Sequence, residues 1–310
     1  IDGETTALRD PRMVTGLDRD VPYLVTEYCG HMYPSKRFDQ EERSVEMALR
    51  HARIQNASYG DEHISGAIGW CAFDYNTHAD FGSGDKICYH GVMDAYRIPK
   101  FAAYVYASQV NPEEKIVLEP ATYWTRGDRS TGGVIPLTIF TNCDEVHVYC
   151  GESLLGVYYP NRELYPSLPH PPVVVDRMEG GWGSKRTDAE FVGYWKGEPV
   201  MRRTYQADPV PTFFEIHADS KTLVSDGDTW DATRVVFSVT DQSHQEMPFF
   251  QEPAVIQVSG AGQLIGPSVV SSVCGKVVFW VKTIGQKGTM QIEITTPRLK
   301  APVCQTIEVK

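Results

Sequence analysis

The sequence has no dense run of Lys or Arg, no CxxC pair, and no apolar run approaching the roughly 20 residues that span a bilayer. Each absence removes a class of function. Acidic residues number 40 against 29 basic ones, for a net charge of −11, and the basic residues are scattered, which excludes a nucleic-acid or anionic-membrane surface. Seven cysteines (Cys29, Cys71, Cys88, Cys143, Cys150, Cys274, Cys304) are odd in number and lack the spacing of a disulfide framework or zinc site. Buried free thiols in a reducing compartment are expected, and with them a cytoplasmic location. The opening residues, IDGETTALRDPRM, carry neither an initiator Met nor a signal peptide and read as a loop from inside a longer protein, so a periplasmic or secreted location stays open.

What remains is an ordinary globular composition, 42% hydrophobic and 22% charged, in 310 residues, enough for two or three domains. Two regimes follow one another. In the first, VPYLVTE reads as a strand, and FDQEERSVEMALRHARIQNAS as a helix with Asp39 as N-cap, Glu42 three positions on, and Val45, Ala48, Leu49 and Ala52 on one face. Acids in its first turns and Arg50, His51 and Arg53 later match the helix dipole. HISGAIGWCAF, almost continuously apolar, predicts a strand buried on both faces, and YRIPKFAAYVYASQ a second helix. Such alternation implies a parallel α/β layout. After Pro112 the helical signals stop. Hairpins are predicted to turn near Cys150-Gly151-Glu152 and at Lys196-Gly197, and HPPVVV reads as an extended link because Pro cannot donate to a ladder. A further all-β unit begins near Ala207, where Val235, Phe237 and Val239 alternate with Val236, Ser238 and Thr240, and Met290, Ile292 and Ile294 with Gln291, Glu293 and Thr295. Two β-sandwiches of about 100 residues each fit these lengths.

Three stretches, VTEYCGHMYPSK, SGAIGWCAFDYNTH and FGSGDKICYHGVMDAYRIPK, resemble the last two strand–loop–helix units of glycoside hydrolase family 2, the β-galactosidase and β-glucuronidase group. FTNCDEVHVYCGESLLG and DGDTWDATRVVFSVTDQ resemble the β-sandwich domains that follow the barrel in bacterial members. The resemblance covers nearly the whole chain. It implies a multi-domain protein: the C-terminal part of a (β/α)8 TIM barrel at 1–110, then immunoglobulin-like sandwiches at 111–206 and 207–310. It also implies a retaining exo-glycosidase acting on terminal β-D-galactosides by double displacement.

In that family the seventh barrel strand ends in the nucleophilic Glu, and Glu27 matches it. Catalytic residues of such barrels sit at the C-terminal ends of strands. Retaining chemistry pairs that carboxylate with a second carboxyl about 5–5.5 Å away. Trp70, ending the next strand, is implied to stack on the sugar ring. Tyr28 and His31 flank the nucleophile. The long loop from Asp74 to Asp94 offers Asp74, Asn76, His78 and His90 as partners for sugar hydroxyls, and the resemblance sets His90 at the sugar's far edge. No cofactor or metal is expected: the SDGDTWDATR run lacks a calcium loop's later bidentate Glu and is better explained by Asx turns.

One departure stands out. The family's acid/base Glu follows an Asn, and no Asn-Glu pair occurs in this sequence. The other acids near the barrel part, Glu41, Glu42 and Glu46, lie on the predicted helix. A chain with only the nucleophile half is expected to be inactive alone, and to associate either with a second copy or with a missing N-terminal portion of the same protein, since an incomplete barrel exposes strand edges. The competing reading is a structural or carbohydrate-binding appendage using Tyr158, Tyr159, Trp182, Tyr194 and Trp195. Sugar specificity also divides. A β-glucuronidase needs cations near a substrate carboxylate, and the 74–94 loop offers only Lys86, which favours a neutral sugar.

Overall fold

In the computed structural model, which describes residues 8–28, 33–78, 84–124, 136–177 and 186–310, the chain divides into two units, Ile1–Ala207 and Asp208–Lys310. The first opens with a short helix, α1 (Pro11–Thr15), capped by Asp10, whose carboxylate accepts from the Arg12 amide at 2.8 Å. Strand β1 (Tyr23–Tyr28), helix α2 (Glu41–Tyr59) and strand β2 (Ile64–Gly69) then form a strand–helix–strand unit. The strands pair in parallel, Val25 opposite Ala67 and Tyr28 opposite Gly69; parallel pairing needs such a crossover. Two very short strands, β3 (Tyr75–Asn76) and β4 (Ile87–Cys88), pair antiparallel. Helix α3 (Phe101–Ala107) follows, and its Phe101, Ala102 and Val105 join Met47, Ala48 and Ala52 of α2 in one apolar core.

The helix and strand predictions hold in kind and differ in detail. Gln40, not Asp39, caps α2, and it makes no side-chain cap bond. Asp39 instead accepts from the Lys36 amide at 2.8 Å, closing the turn before the helix. His51 does not serve the helix dipole as a cation, because burial lowers its pKa to about 4 and keeps the imidazole neutral. Burial on both strand faces is also not what is found. In β2 only Ile64 is buried, and Leu24 and Ile68 are 48% and 53% exposed. Among the described residues the helices cover one face of the strand pair only.

The rest of this unit is a β-sandwich of β5 (Leu118–Pro120), β6 (Leu137–Thr141), β7 (Glu145–Cys150), β8 (Ser153–Tyr158), β9 (Val173–Val175), β10 (Ala189–Trp195) and β11 (Glu198–Tyr205). One sheet runs β5-β6-β9 and the other β11-β10-β7-β8. Their inner faces share a core of Leu118, Leu137, Ile139, Val146, Val148 and Phe191. Both hairpins turn where predicted: Lys196 and Gly197 take φ of +54° and +81°, the left-handed pair that a tight hairpin needs. HPPVVV is a correction. Val173–Val175 is a strand, paired with β6 and fully buried at Val173 and Val175, because both prolines precede the ladder and β9 is an edge.

The second unit contains β12 (Phe213–Ala218), β13 (Thr222–Leu223), β14 (Ala232–Thr240), β15 (Pro253–Gly260), β16 (Gly262–Ile265), β17 (Val269–Ser271), β18 (Lys276–Thr283), β19 (Gly288–Thr295) and β20 (Val303–Val309). Sheets β12-β14-β18-β16 and β13-β20-β19-β15-β17 enclose one core. The period-two pattern reads through directly: Val235, Phe237 and Val239 face Met290, Ile292 and Ile294 inward. Among the described residues no helix is long and apolar enough to cross a membrane.

Ile292 is fully buried in this core and Ile265 is 41% exposed on an edge strand. Ile292→Ala should therefore lower the unfolding free energy of this unit by about 2–5 kcal/mol, and Ile265→Ala by less than about 1 kcal/mol, in urea titrations followed by tryptophan fluorescence. Similar losses from the two would contradict the inward assignment.

Candidate active site

At the end of β1, alternation sends neighbouring side chains to opposite faces. Tyr28 turns toward the helices and is 2% exposed, its hydroxyl accepting from Gln55 Nε2 at 2.6 Å and pairing with the Tyr106 hydroxyl. Tyr106 in turn bonds His51 Nδ1 at 2.7 Å. Opposite Tyr28, Gly69 permits this packing: a Cβ there would lie 2.6 Å from the Tyr106 hydroxyl. Glu27 consequently points to the other face, where it is exposed. His31 lies outside the described residues.

Trp70 follows Gly69, and its amide donates to the Tyr28 carbonyl at 2.8 Å, so the ends of the two strands are joined. The indole is 39% exposed and stands edge-on to Tyr75, ring centroids 6.1 Å apart, with Nε1 donating to the Tyr75 hydroxyl at 3.1 Å. Tyr75 pairs with Cys88 across the two short strands, and the Cys88 thiol raises the pKa of the Tyr75 hydroxyl. Cys88 Sγ lies 2.7 Å from His90 Nδ1. Trp70 is thus bonded to Tyr75, and Cys88, opposite Tyr75 in the strand pair, to His90. Tyr75 and Cys88 were not singled out in the sequence; the only signal for them is their place between two candidates in a loop.

The loop is not loosely built. Residues 71–74 run beside 90–93, with Cys71 N to His90 O at 3.2 Å, Val92 N to Cys71 O at 2.9 Å and Asp74 N to Met93 O at 3.0 Å. His90 is buried at 6% exposure. Asn76 and His78 are exposed, Asn76 on β3 opposite Ile87. Asp74 is turned inward: its Oδ1 accepts from Lys100 Nζ at 2.7 Å and from the Gly91 amide at 2.9 Å. Burial raises the Asp74 carboxyl to about 6 despite the neighbouring ammonium, and the same burial lowers Lys100. Cys71, beside Trp70, is pushed by burial up to about 11 and stays a neutral thiol. Glu41, Glu42 and Glu46 remain on α2, where Glu41 accepts from the Tyr123 amide at 2.6 Å and Glu46 from Arg50 at 2.9 Å. Among the sandwich aromatics Tyr159 is exposed, Tyr158 and Trp195 are half-buried, Tyr194 stacks on His147 with centroids 4.1 Å apart, and Trp182 lies outside the described residues.

Chemically, the joined strand ends bring an exposed carboxyl group, that of Glu27, and an exposed indole, that of Trp70, to one end of the strand pair.

No family model matches the chain. Over 281 residues it is 51% identical to the β-galactosidase of Thermoanaerobacterium thermosulfurigenes, covering 88% of this chain and 39% of that protein. Over 116 residues it is 36% identical to a β-galactosidase of Rhizobium radiobacter, covering 37% of this chain and 83% of that shorter relative. Among solved structures it superposes on a β-glycosidase from Bacteroides vulgatus with a TM-score of 0.67 at 19% identity, over 83% of this chain and 32% of that one. A β-glucuronidase of glycoside hydrolase family 2 gives 0.66 at 16% identity, over 93% and 31%. At such identities these two speak to the fold alone.

His51, neutral in the fold and with an ordinary unfolded pKa near 6.5, makes the unfolded chain the better proton binder between about pH 4 and 6.5. Its contribution to stability is therefore full above pH 6.5 and is lost as the pH falls toward 4. The stability difference between the unsubstituted chain and His51→Gln should grow by on the order of 3 kcal/mol from pH 4 to 6.5, measured in urea titrations. A difference independent of pH would show that His51 binds protons in the fold as it does in the unfolded chain.

Proposed function

We propose, for a chain that belongs to glycoside hydrolase family 2, that it is part of a retaining β-galactosidase in which Glu27 is the nucleophile. The observation that carries this reading is the exposure of Glu27 and Trp70 at the joined ends of two parallel strands, on the face away from the helices. Catalytic groups of barrel enzymes occupy that end. In this reading 1–110 is the C-terminal part of the barrel, and 111–206 and 207–310 are immunoglobulin-like sandwiches.

Glu27 attacks the anomeric carbon and forms a glycosyl–enzyme bond as the aglycone leaves; water then releases the sugar with its configuration retained. Trp70 presents its indole to the apolar face of the ring, the exposed Asn76 and His78 meet the sugar hydroxyls, and the buried His90 supports them from behind. The acid/base carboxyl is supplied from outside this chain, which spans 39% of its Thermoanaerobacterium relative and has no Asn-Glu pair. The substrate is a terminal β-galactoside, with no cofactor or metal. A neutral sugar is favoured over a uronic acid because the buried Lys100 is held by Asp74 rather than free to meet a substrate carboxylate.

In the full-length protein, Glu27→Gln should lower turnover of an activated aryl β-galactoside by several orders of magnitude while sugar binding largely survives, since shape is kept and the bond-forming charge is lost. Glu27→Ala should accept azide in the vacated space and yield a glycosyl azide of inverted configuration. Trp70→Ala should act mainly on KM, raising it about tenfold. Near-normal turnover by Glu27→Gln would make Glu27 an ordinary loop carboxylate.

A further inference from the structure

Lys100 is a buried cation that the mechanism above does not use. Its side chain is 2% exposed and that of Asp74 3%. The ammonium donates to the Ser35 carbonyl at 2.5 Å, to Asp74 Oδ1 at 2.7 Å and to the Tyr89 carbonyl at 3.4 Å. These three acceptors come from three separate segments. Ser35 lies on the segment that follows β1 and Glu27, Asp74 on the segment that begins with Trp70, and Tyr89 immediately precedes His90. Two backbone bonds close the same junction, Ser35 N to Tyr89 O at 3.1 Å and Lys100 N to Val92 O at 2.9 Å. Gly91, whose amide is the second donor to Asp74, is packed so tightly that a Cβ would sit 2.2 Å from the Asp74 amide nitrogen.

Stability alone gives no reason for charges here. A buried ion pair can often be replaced by apolar side chains of similar volume with no loss, because desolvation offsets the attraction. What an ammonium does that an alkyl chain cannot is hold oxygens of several segments at fixed distances in fixed directions. The segments it holds carry groups that a sugar substrate would meet, and a misplacement of about 1 Å in such groups can cost on the order of 100-fold in rate.

We infer that Lys100 and Asp74 form a positioning pair that fixes the Trp70 and His90 segments against the segment leaving Glu27. Asp74 then acts behind the site rather than as a contact to the sugar. The inference rests on the reading of Glu27 and Trp70 as a glycosidase site.

The test uses Lys100→Met and the neutral double variant Asp74→Asn with Lys100→Met, both in the full-length protein. The double variant leaves no unpaired buried charge and so keeps the test open if the single variant folds poorly. Steady-state kinetics on an aryl β-galactoside should show kcat/KM reduced about 10- to 100-fold with KM raised. A simple loss of folded protein would lower apparent kcat and leave KM unchanged. Amide hydrogen exchange should quicken in residues 33–37 and 85–92 and stay as it was in α2. Values of kcat and KM within about twofold of the unsubstituted protein would overturn the inference, as would unchanged exchange in those two segments. If the unsubstituted protein itself hydrolyses no aryl glycoside, the functional reading fails, and the exchange measurement still decides whether the pair holds the segments.

Discussion

At the paired ends of β1 and β2, where Tyr28 lies opposite Gly69, the Trp70 amide donates to the Tyr28 carbonyl. The rest of the site follows from that contact and from the period of two along a strand. Once Tyr28 is fixed among Gln55, Tyr106 and His51, its neighbour Glu27 has only the opposite face to occupy. Gly69 leaves room for the Tyr106 hydroxyl, and the residue after it, Trp70, leaves the sheet partly exposed. The polar groups under the strand ends are thus not incidental to the site. They aim it.

The loop after Trp70 obeys a second constraint. Its two sides run together through backbone bonds at 71–74 and 90–93, and the buried Asp74 and Lys100 close its base. A loop of this length would be entropically costly to order by backbone contacts to water-exposed residues alone. Here the ordering groups are buried and hydrogen-bonded, leaving Asn76 and His78 exposed on its outer side.

Much of this was legible in the sequence, for identifiable reasons. Inward positions such as Val235, Phe237, Ile292 and Ile294 follow from alternation, and the Lys196-Gly197 turn from residues that tolerate positive φ. Glu27 and Trp70 were legible as strand-end residues because apolar runs stop at them. The inward turn of Asp74 was not, because its partner lies 26 residues away in sequence and no local period links the two. His51 looked like a dipole-matching cation until burial against Tyr28 and Tyr106 made it neutral. HPPVVV looked like a link because two prolines stand before the strand rather than in it. In each case a tertiary contact decided between readings that local chemistry left equal.

The central claim is that Glu27 forms a covalent bond to the sugar. It is tested most directly by treating the full-length protein with a 2-deoxy-2-fluoro-β-galactosyl fluoride, which slows release of the glycosyl–enzyme, and mapping the labelled peptide by mass spectrometry. The account predicts one fluorosugar per chain, on the peptide spanning residues 22–36 and localised to Glu27. A stable label on any other carboxylate would contradict it, as would an active enzyme that takes no label.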